Sequence, residues 1–160
     1  MKAKAVSNLL IGGMVWLLLS TAAAAGDPAL TFTSGTICKN QLAADAGYID
    51  YVPWGVYSIK NSSTNVVCPL SRDTTNAKGA TVYVYIRHDA FQDTQCVFVS
   101  QSRTGSILAL GTQIWSGSGN GSIVIKIVDG KSSFTSDYYL SCSIPGSAHG
   151  FITGIELLEE

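Results

Sequence analysis

The sequence predicts an all-β protein, an antiparallel β-sandwich of jelly-roll or immunoglobulin-like type with about nine short strands and two disulfides. Three observations carry the prediction. Apolar residues recur with a period of two in one segment after another, polar turn residues separate those segments at regular intervals, and nothing after the first 25 residues keeps a helical period. The 160 residues contain 13% charged and 46% hydrophobic side chains, a balance that suits one ordinary folded domain and not a disordered chain.

Residues 1–25 read as an export leader. Lys2 and Lys4 supply a positive start, an apolar run follows from Leu9 to Leu19, and Ala23-Ala24-Ala25 offers the small residues that precede cleavage before Gly26. The apolar run is shorter than the ~20 residues a spanning helix needs, and no cysteine follows the cleavage point to carry a lipid. Residues 26–160 are therefore expected as a single β-sandwich domain, secreted or periplasmic, with no membrane span.

Each strand has its own signal. In 81–87, Val82, Val84 and Ile86 face one way while Tyr83, Tyr85 and Arg87 face the other, the alternation a half-buried strand requires. In 122–128, Ile123, Ile125 and Ile127 share a side opposite Lys126. In 138–144, Tyr138, Leu140, Cys142 and Ile144 line one face and aim Cys142 at the core. Phe151, Ile155 and Leu157 mark the last strand, with Glu156 turned the opposite way. Shorter runs at 30–33, 55–59, 66–70, 96–100 and 107–110 are each bounded by turn residues, and Asn61-Ser62-Ser63, Asp129-Gly130 and Pro145-Gly146 read as turns. A membrane barrel would need strands of ~9–11 residues with a lipid-facing apolar band, and most of these runs are shorter.

All four cysteines (Cys38, Cys68, Cys96 and Cys142) fall in the exported part and read as two disulfides. Four cysteines allow three pairings; Cys38–Cys68 with Cys96–Cys142 is preferred, and the other two remain open. A metal site is not expected, because no pair has C-x2-C spacing and His88 and His149 are far apart in sequence.

The chain resembles a group of short secreted bacterial proteins to which no activity is assigned. The resemblance rests on Gly35-Thr36-Ile37-Cys38, Val67-Cys68-Pro69-Leu70 with Arg72, Cys96-Val97, Tyr139-Leu140-Ser141-Cys142-Ser143-Ile144-Pro145, and a final strand ending in Ile155-Glu156. It runs from Gly35 to Leu158 and implies secretion, two disulfides and an all-β fold. It implies no catalytic or binding residue.

Charge narrows the function classes. Ten Lys and Arg face eleven Asp and Glu, and loss of Lys2 and Lys4 with the leader leaves eight against eleven, a net charge of −3. That excludes the basic face a nucleic-acid partner requires and disfavours anionic membranes. No cofactor is indicated, and the oligomeric state is not legible. The densest aromatic stretch, Tyr48 to Tyr57, holds Asp50, Tyr51, Trp54 and Tyr57. Rings beside polar groups stack on sugar C–H faces while acceptors take hydroxyls, so these residues, with Tyr83 and Tyr85, form the candidate ligand site. The competing account packs the same rings into a strand and a corner of the sandwich.

Other stretches carry weaker chemistry. Asp89 and Asp93, in the run 87–93, have the oxygen chemistry of a calcium ligand but lack the D-x-[DN]-x-[DN]-G loop; a solvated turn is the expectation. Gly117-Ser118-Gly119-Asn120-Gly121 leads into a strand and not a helix, so it reads as a hairpin loop and not a phosphate cradle. A hydrolase would have only His88 and His149 as histidine bases, no G-x-S-x-G elbow, and Glu156 and Asp50 as carboxylates, so the protein is not expected to be an enzyme. The preferred function is non-catalytic binding of a glycan or other external ligand through surface aromatics. The alternative is an envelope protein that meets another protein through a sheet face or edge strand.

Overall fold

The computed structural model describes residues 29–72, 79–127 and 136–160; the expected leader at 1–25 and the expected Asp129-Gly130 turn lie outside the described residues. Strand follows strand as the alternation dictates: β1 (Ala29–Ser34), β2 (Lys39–Asn40), β3 (Ile49–Val52), β4 (Gly55–Ser58), β5 (Thr64–Leu70), β6 (Ala80–Ser102), β7 (Ile107–Ile127), β8 (Ser136–Ile144) and β9 (Gly150–Glu159). Short 3-10 turns at Gly35–Ile37 and Ala43–Tyr48 carry the chain between the early strands. Every pairing is antiparallel.

Four of the expected strands merge into two. Segments 81–87 and 96–100 belong to β6, and 107–110 with 122–127 to β7; together they form one long hairpin from Ala80↔Ile127 to Gln101↔Ile107. The pairing skips between His88 and Gln92, and there the hairpin bends. The glycine run at 117–121 is the matching bend in β7 and not a hairpin loop, since Gly117, Gly119 and Gly121 pair with Gln92, His88 and Ile86. Glycine and serine announce a break in regular pattern equally well at a bend and at a loop, which is why the sequence misleads here.

The bend makes the sandwich. An added Cβ on Gly111 would stand 2.5 Å from Ile125 Cγ2. Along a straight strand those two positions would be ~46 Å apart. The two halves of β7 therefore face one another across the core. One layer holds residues 119–127 of β7, 80–88 of β6, then β9, with β1 and the β4–β3 hairpin on its far edge. The other holds residues 107–117 of β7, 92–102 of β6, then β8, β5 and β2.

Between the layers lie Val82, Val84, Ile86, Ile123, Ile125, Ile127, Ile155 and Leu157 from the first, and Val66, Phe98, Leu140 and Ile144 from the second, each at most 3% exposed. Each such aliphatic side chain stabilises the fold by about 1.5–3 kcal/mol relative to exposure. The disulfides are Cys38–Cys68 and Cys96–Cys142, the preferred pairing, and all four cysteines are buried. Cys96 and Cys142 are direct register partners across β6 and β8, so this bridge tethers two neighbouring strands of the second layer. Arg72, just past β5, pairs with the buried Glu159 at 3.1 Å and donates to the Ser136 carbonyl and hydroxyl, tying the ends of three strands together.

Candidate functional site

What stands on the outer face of the first layer is decided in β9. Uninterrupted alternation would put Phe151 on the same side as Ile155 and Leu157, inside the core. Instead Tyr85 pairs with Gly154 and Ile86 with Ile152, leaving Thr153 as an unpaired bulge whose hydroxyl donates to the Tyr85 carbonyl at 3.2 Å. One extra residue reverses parity, so Phe151 joins Gly154 and Glu156 on the outside.

A line of side chains results. Asp50 pairs with Tyr57, Tyr57 with Phe151, Phe151 with Arg87, and Arg87 with Asn120, crossing β3, β4, β9, β6 and β7 in register. Directly opposed residues share a face, so all five project together. Trp54, in the tight turn between β3 and β4, folds over the line with its ring centroid 5.1 Å from that of Phe151; Tyr57 flanks Phe151 at the same distance. Phe151 is 8% exposed and Trp54 43%, so Phe151 is the packed base and Trp54 the accessible ring. The Arg87 guanidinium lies 5.5 Å from the Trp54 centroid and pairs with Asp89 at 2.9 Å.

Two phenol–carboxylate pairs bracket this aromatic cluster. Asp50 takes the Tyr51 amide on Oδ1 and the Tyr57 hydroxyl on Oδ2, each at 2.8 Å. Those bonds, the backbone one foremost, hold its carboxyl below the ordinary carboxylate range, while the carboxylate pushes the Tyr57 phenol up. The Tyr85 hydroxyl donates to Glu156 Oε2 at 2.9 Å, and its phenol is pushed up for the same reason. Tyr57 and Tyr85 thus remain donors, and Asp50 remains an acceptor.

Beside the second pair runs a groove of about 390 Å³ lined by Phe32, Tyr85, Asn120, Thr153, Gly154 and Glu156. Gly154 is its floor: a Cβ there would lie 2.9 Å from Phe32 Cζ and 3.5 Å from Tyr85 Cδ2, so the two rings flank a bare backbone. Phe32 is 63% exposed. Asn120 belongs both to this groove and to the line through Arg87, which makes the two parts one continuous surface.

Of the residues proposed from sequence, Asp50, Trp54, Tyr57 and Tyr85 come together on this face, and Tyr83 stands on it between Glu156 and Val124. Tyr51 does not join them. It pairs with Val56 on the opposite side of the β3–β4 hairpin, and its hydroxyl donates to the Cys38 carbonyl at 3.0 Å. Phe32, Phe151, Arg87 and Asn120 belong to the site without having been singled out for it. Only the bulge at Thr153 brings Phe151 there, and no residue type announces that bulge.

His88 is part of the architecture. His88 is 1% exposed at the hairpin bend; its Nδ1–H donates to the Gly117 carbonyl at 2.9 Å, its Nε2 meets the Thr94 hydroxyl at 2.8 Å, and its ring lies 4.4 Å from Trp115. The His149 carbonyl accepts the Asp89 amide in the β8–β9 turn. The Asp89 carboxylate is engaged by Arg87, and among the described residues no group of three or more His, Cys, Asp or Glu is placed to hold a metal ion.

No protein-family model matches this chain, and no curated protein matches it in sequence. Its fold is similar to that of the CBM36-1 domain of a multidomain xylanase from the hindgut metagenome of Trinervitermes trinervoides, at 12% identity and TM-score 0.53, covering 81% of this chain and 96% of that one. It is also similar to the xylan-binding module CBM15, at 12% identity and TM-score 0.50, covering 82% of this chain and 97% of that one. Likeness at this identity speaks to architecture: the layered β arrangement is one that these modules share.

Proposed function

We propose that this chain is an exported, non-catalytic β-sandwich protein that binds a glycan on the outer face of its first layer. In this reading the leader at 1–25 is removed, the mature chain works in the periplasm or outside the cell, and it belongs with the secreted four-cysteine bacterial proteins it resembles. The observation that carries the reading is the in-register line Asp50–Tyr57–Phe151–Arg87–Asn120 beneath an exposed Trp54. An accessible ring beside fixed acceptors and an amide suits a sugar, whose C–H face packs on the ring while its hydroxyls find partners at the edge. Similarity in fold to a module named as xylan-binding and to a domain of a xylanase supports the same reading.

The test is a titration of the mature protein with a glycan panel, followed by tryptophan fluorescence. Trp54 stands in the site, whereas Trp115 is half-buried at the bend. A saturable change with at least one glycan is expected, and Trp54→Ala should weaken that affinity about tenfold, the loss of roughly one aromatic contact. A flat response across the panel refutes the reading.

A second reading, an envelope protein with a protein partner, draws on β7. Among the described residues this strand pairs only with β6, and it exposes Leu110 and Ile114 at 59% and 57%. Light scattering and a pull-down from the source envelope test it; a monomer that captures no envelope protein counts against it.

A further inference from the structure

We propose that this face takes neutral glycan chains and turns acidic ones away, an inference that rests on the glycan-binding reading and names the ligand class for the same surface.

The charges decide it. Among the described residues four charged side chains stand on or beside the line and its groove: Asp50, Arg87, Asp89 and Glu156. The single cation among them, Arg87, is committed, with its Nη2 and Nε on Asp89 at 2.9 and 3.0 Å and its plane close to the Trp54 and Phe151 rings. Lys126, farther along the same layer, is paired with Glu160 at 2.7 Å. Asp50 and Glu156 are in no ion pair among the described residues; each is held by a tyrosine hydroxyl instead. Among the described residues the face therefore carries two carboxylates that no cation pairs with, on a mature chain that is itself net negative.

Those two carboxylates are acceptors whose geometry is already fixed. A carboxylate has about four lone-pair positions, and one or two neighbours leave the remainder for hydroxyl donors. Sugar hydroxyls donate to them, Asn120 supplies an amide at the far wall, and Phe32 and Tyr85 give apolar sides to the groove. A uronate or sulfate brings charge of the wrong sign to the same positions and, among the described residues, meets no uncommitted cation. Within a Debye length of about 10 Å, like charges repel at moderate salt.

The experiment is native affinity electrophoresis of the mature protein in gels containing neutral polymers (arabinoxylan, mixed-linkage β-glucan, galactomannan) or acidic ones (polygalacturonate, alginate, carboxymethyl cellulose). Retardation by at least one neutral polymer and by no acidic one is expected at low ionic strength. Glu156→Gln, which keeps shape and removes charge, should weaken neutral binding about fivefold, the difference between a charge-assisted and an ordinary hydrogen bond. Asp50→Asn combined with it should admit acidic polymers at low salt. Acidic polymers held as tightly as neutral ones, or neutral affinity unchanged in Glu156→Gln, would overturn the inference and leave glycan binding standing. Retardation by nothing in either set removes glycan binding itself.

Discussion

Thr153 offers a sharp way to challenge the assignment of faces. Because it is the unpaired residue of a bulge, deleting it should restore unbroken alternation in β9: Phe151 outside, Ile152 inside, Gly154 outside, Ile155 inside. The partners on β6 already follow that order, with Arg87, Ile86, Tyr85 and Val84 in sequence opposite those four residues. The deletion removes one hydroxyl bond to the Tyr85 carbonyl and no ladder pair, so it should cost about 1–2 kcal/mol, the worth of a hydrogen bond and some local readjustment. Deleting Ile155 is the control. It too can be absorbed by closing the bulge, with Thr153 then opposite Tyr85 and Gly154 opposite Val84, but the fully buried Ile155 side chain is lost and a bare glycine takes its place in the core. One large aliphatic side chain lost from the interior, with a cavity left behind, comes to about 2–5 kcal/mol. Against a typical total of about 5–15 kcal/mol the control should be clearly the less stable of the two variants. Urea unfolding followed by circular dichroism reads both variants. If deletion of Thr153 were as damaging as deletion of Ile155, Phe151 would not owe its position to the bulge and the outer face described above would be wrong.

Gly146→Ala should lower stability by about 1–3 kcal/mol in urea unfolding, because the new Cβ would press on the Lys60 carbonyl and stand 2.5 Å from that of Ser62, and backbone cannot swing aside as a side chain can. A neutral result there would mean the β8–β9 turn does not dock on the β4–β5 loop. Replacing Cys96 and Cys142 together by alanine opens a 46-residue loop, worth about 4 kcal/mol in the chain-entropy account, and should lower the urea midpoint accordingly; a shift under about 1 kcal/mol would show the unfolded chain to be held together by something else. Asp50 has a folded carboxyl depressed below its ordinary value of 3.8, so the stability it contributes is present above that value and lost as pH falls through the depressed one. Asp50→Asn should therefore be less stable than the parent at pH 7, by a small amount because the group is exposed, and the gap should close as the pH is taken down through and below 3.8. A gap that stayed constant across that range would refute the Tyr51 and Tyr57 bonds as its cause.

Much of the fold is legible in the sequence because period-two alternation reports burial directly. Val82, Val84 and Ile86, then Ile123, Ile125 and Ile127, and the even-numbered face of β8 all lie where the pattern puts them. Continuity is not legible in that way. Nothing local says that residues 81–87 and 96–100 are one strand, because the seven residues from Arg87 to Asp93 look like any polar turn, and only pairing with β7 fixes them as a bend. The site divides along the same line. Asp50, Trp54 and Tyr57 sit within one hairpin, so proximity in sequence implied proximity in space. Phe151 and Arg87 arrive from β9 and β6, and Phe151 arrives only through a parity change; long-range register and bulges are properties of the assembled sheet, outside the reach of any single segment.

The bend that turns one hairpin into two layers also fixes the proposed binding face. Trp115 of the outgoing half of β7 lies against Gly121 of the returning half so closely that any Cβ on Gly121 would overlap its ring. His88 ties the two sides of the bend through Gly117 and Thr94. Immediately before that knot comes Arg87, and two and four residues earlier come Tyr85 and Tyr83, all on the outer face. The site is thus built on paired strands beside a packed corner and not on loops free to rearrange. Ordering side chains on binding costs about 0.5–1.5 kcal/mol for each rotamer-rich group, and here the phenols, carboxylates and guanidinium already hold one another in place. For a ligand such as a sugar, which makes many individually weak contacts, a surface that arrives pre-set converts more of those contacts into affinity.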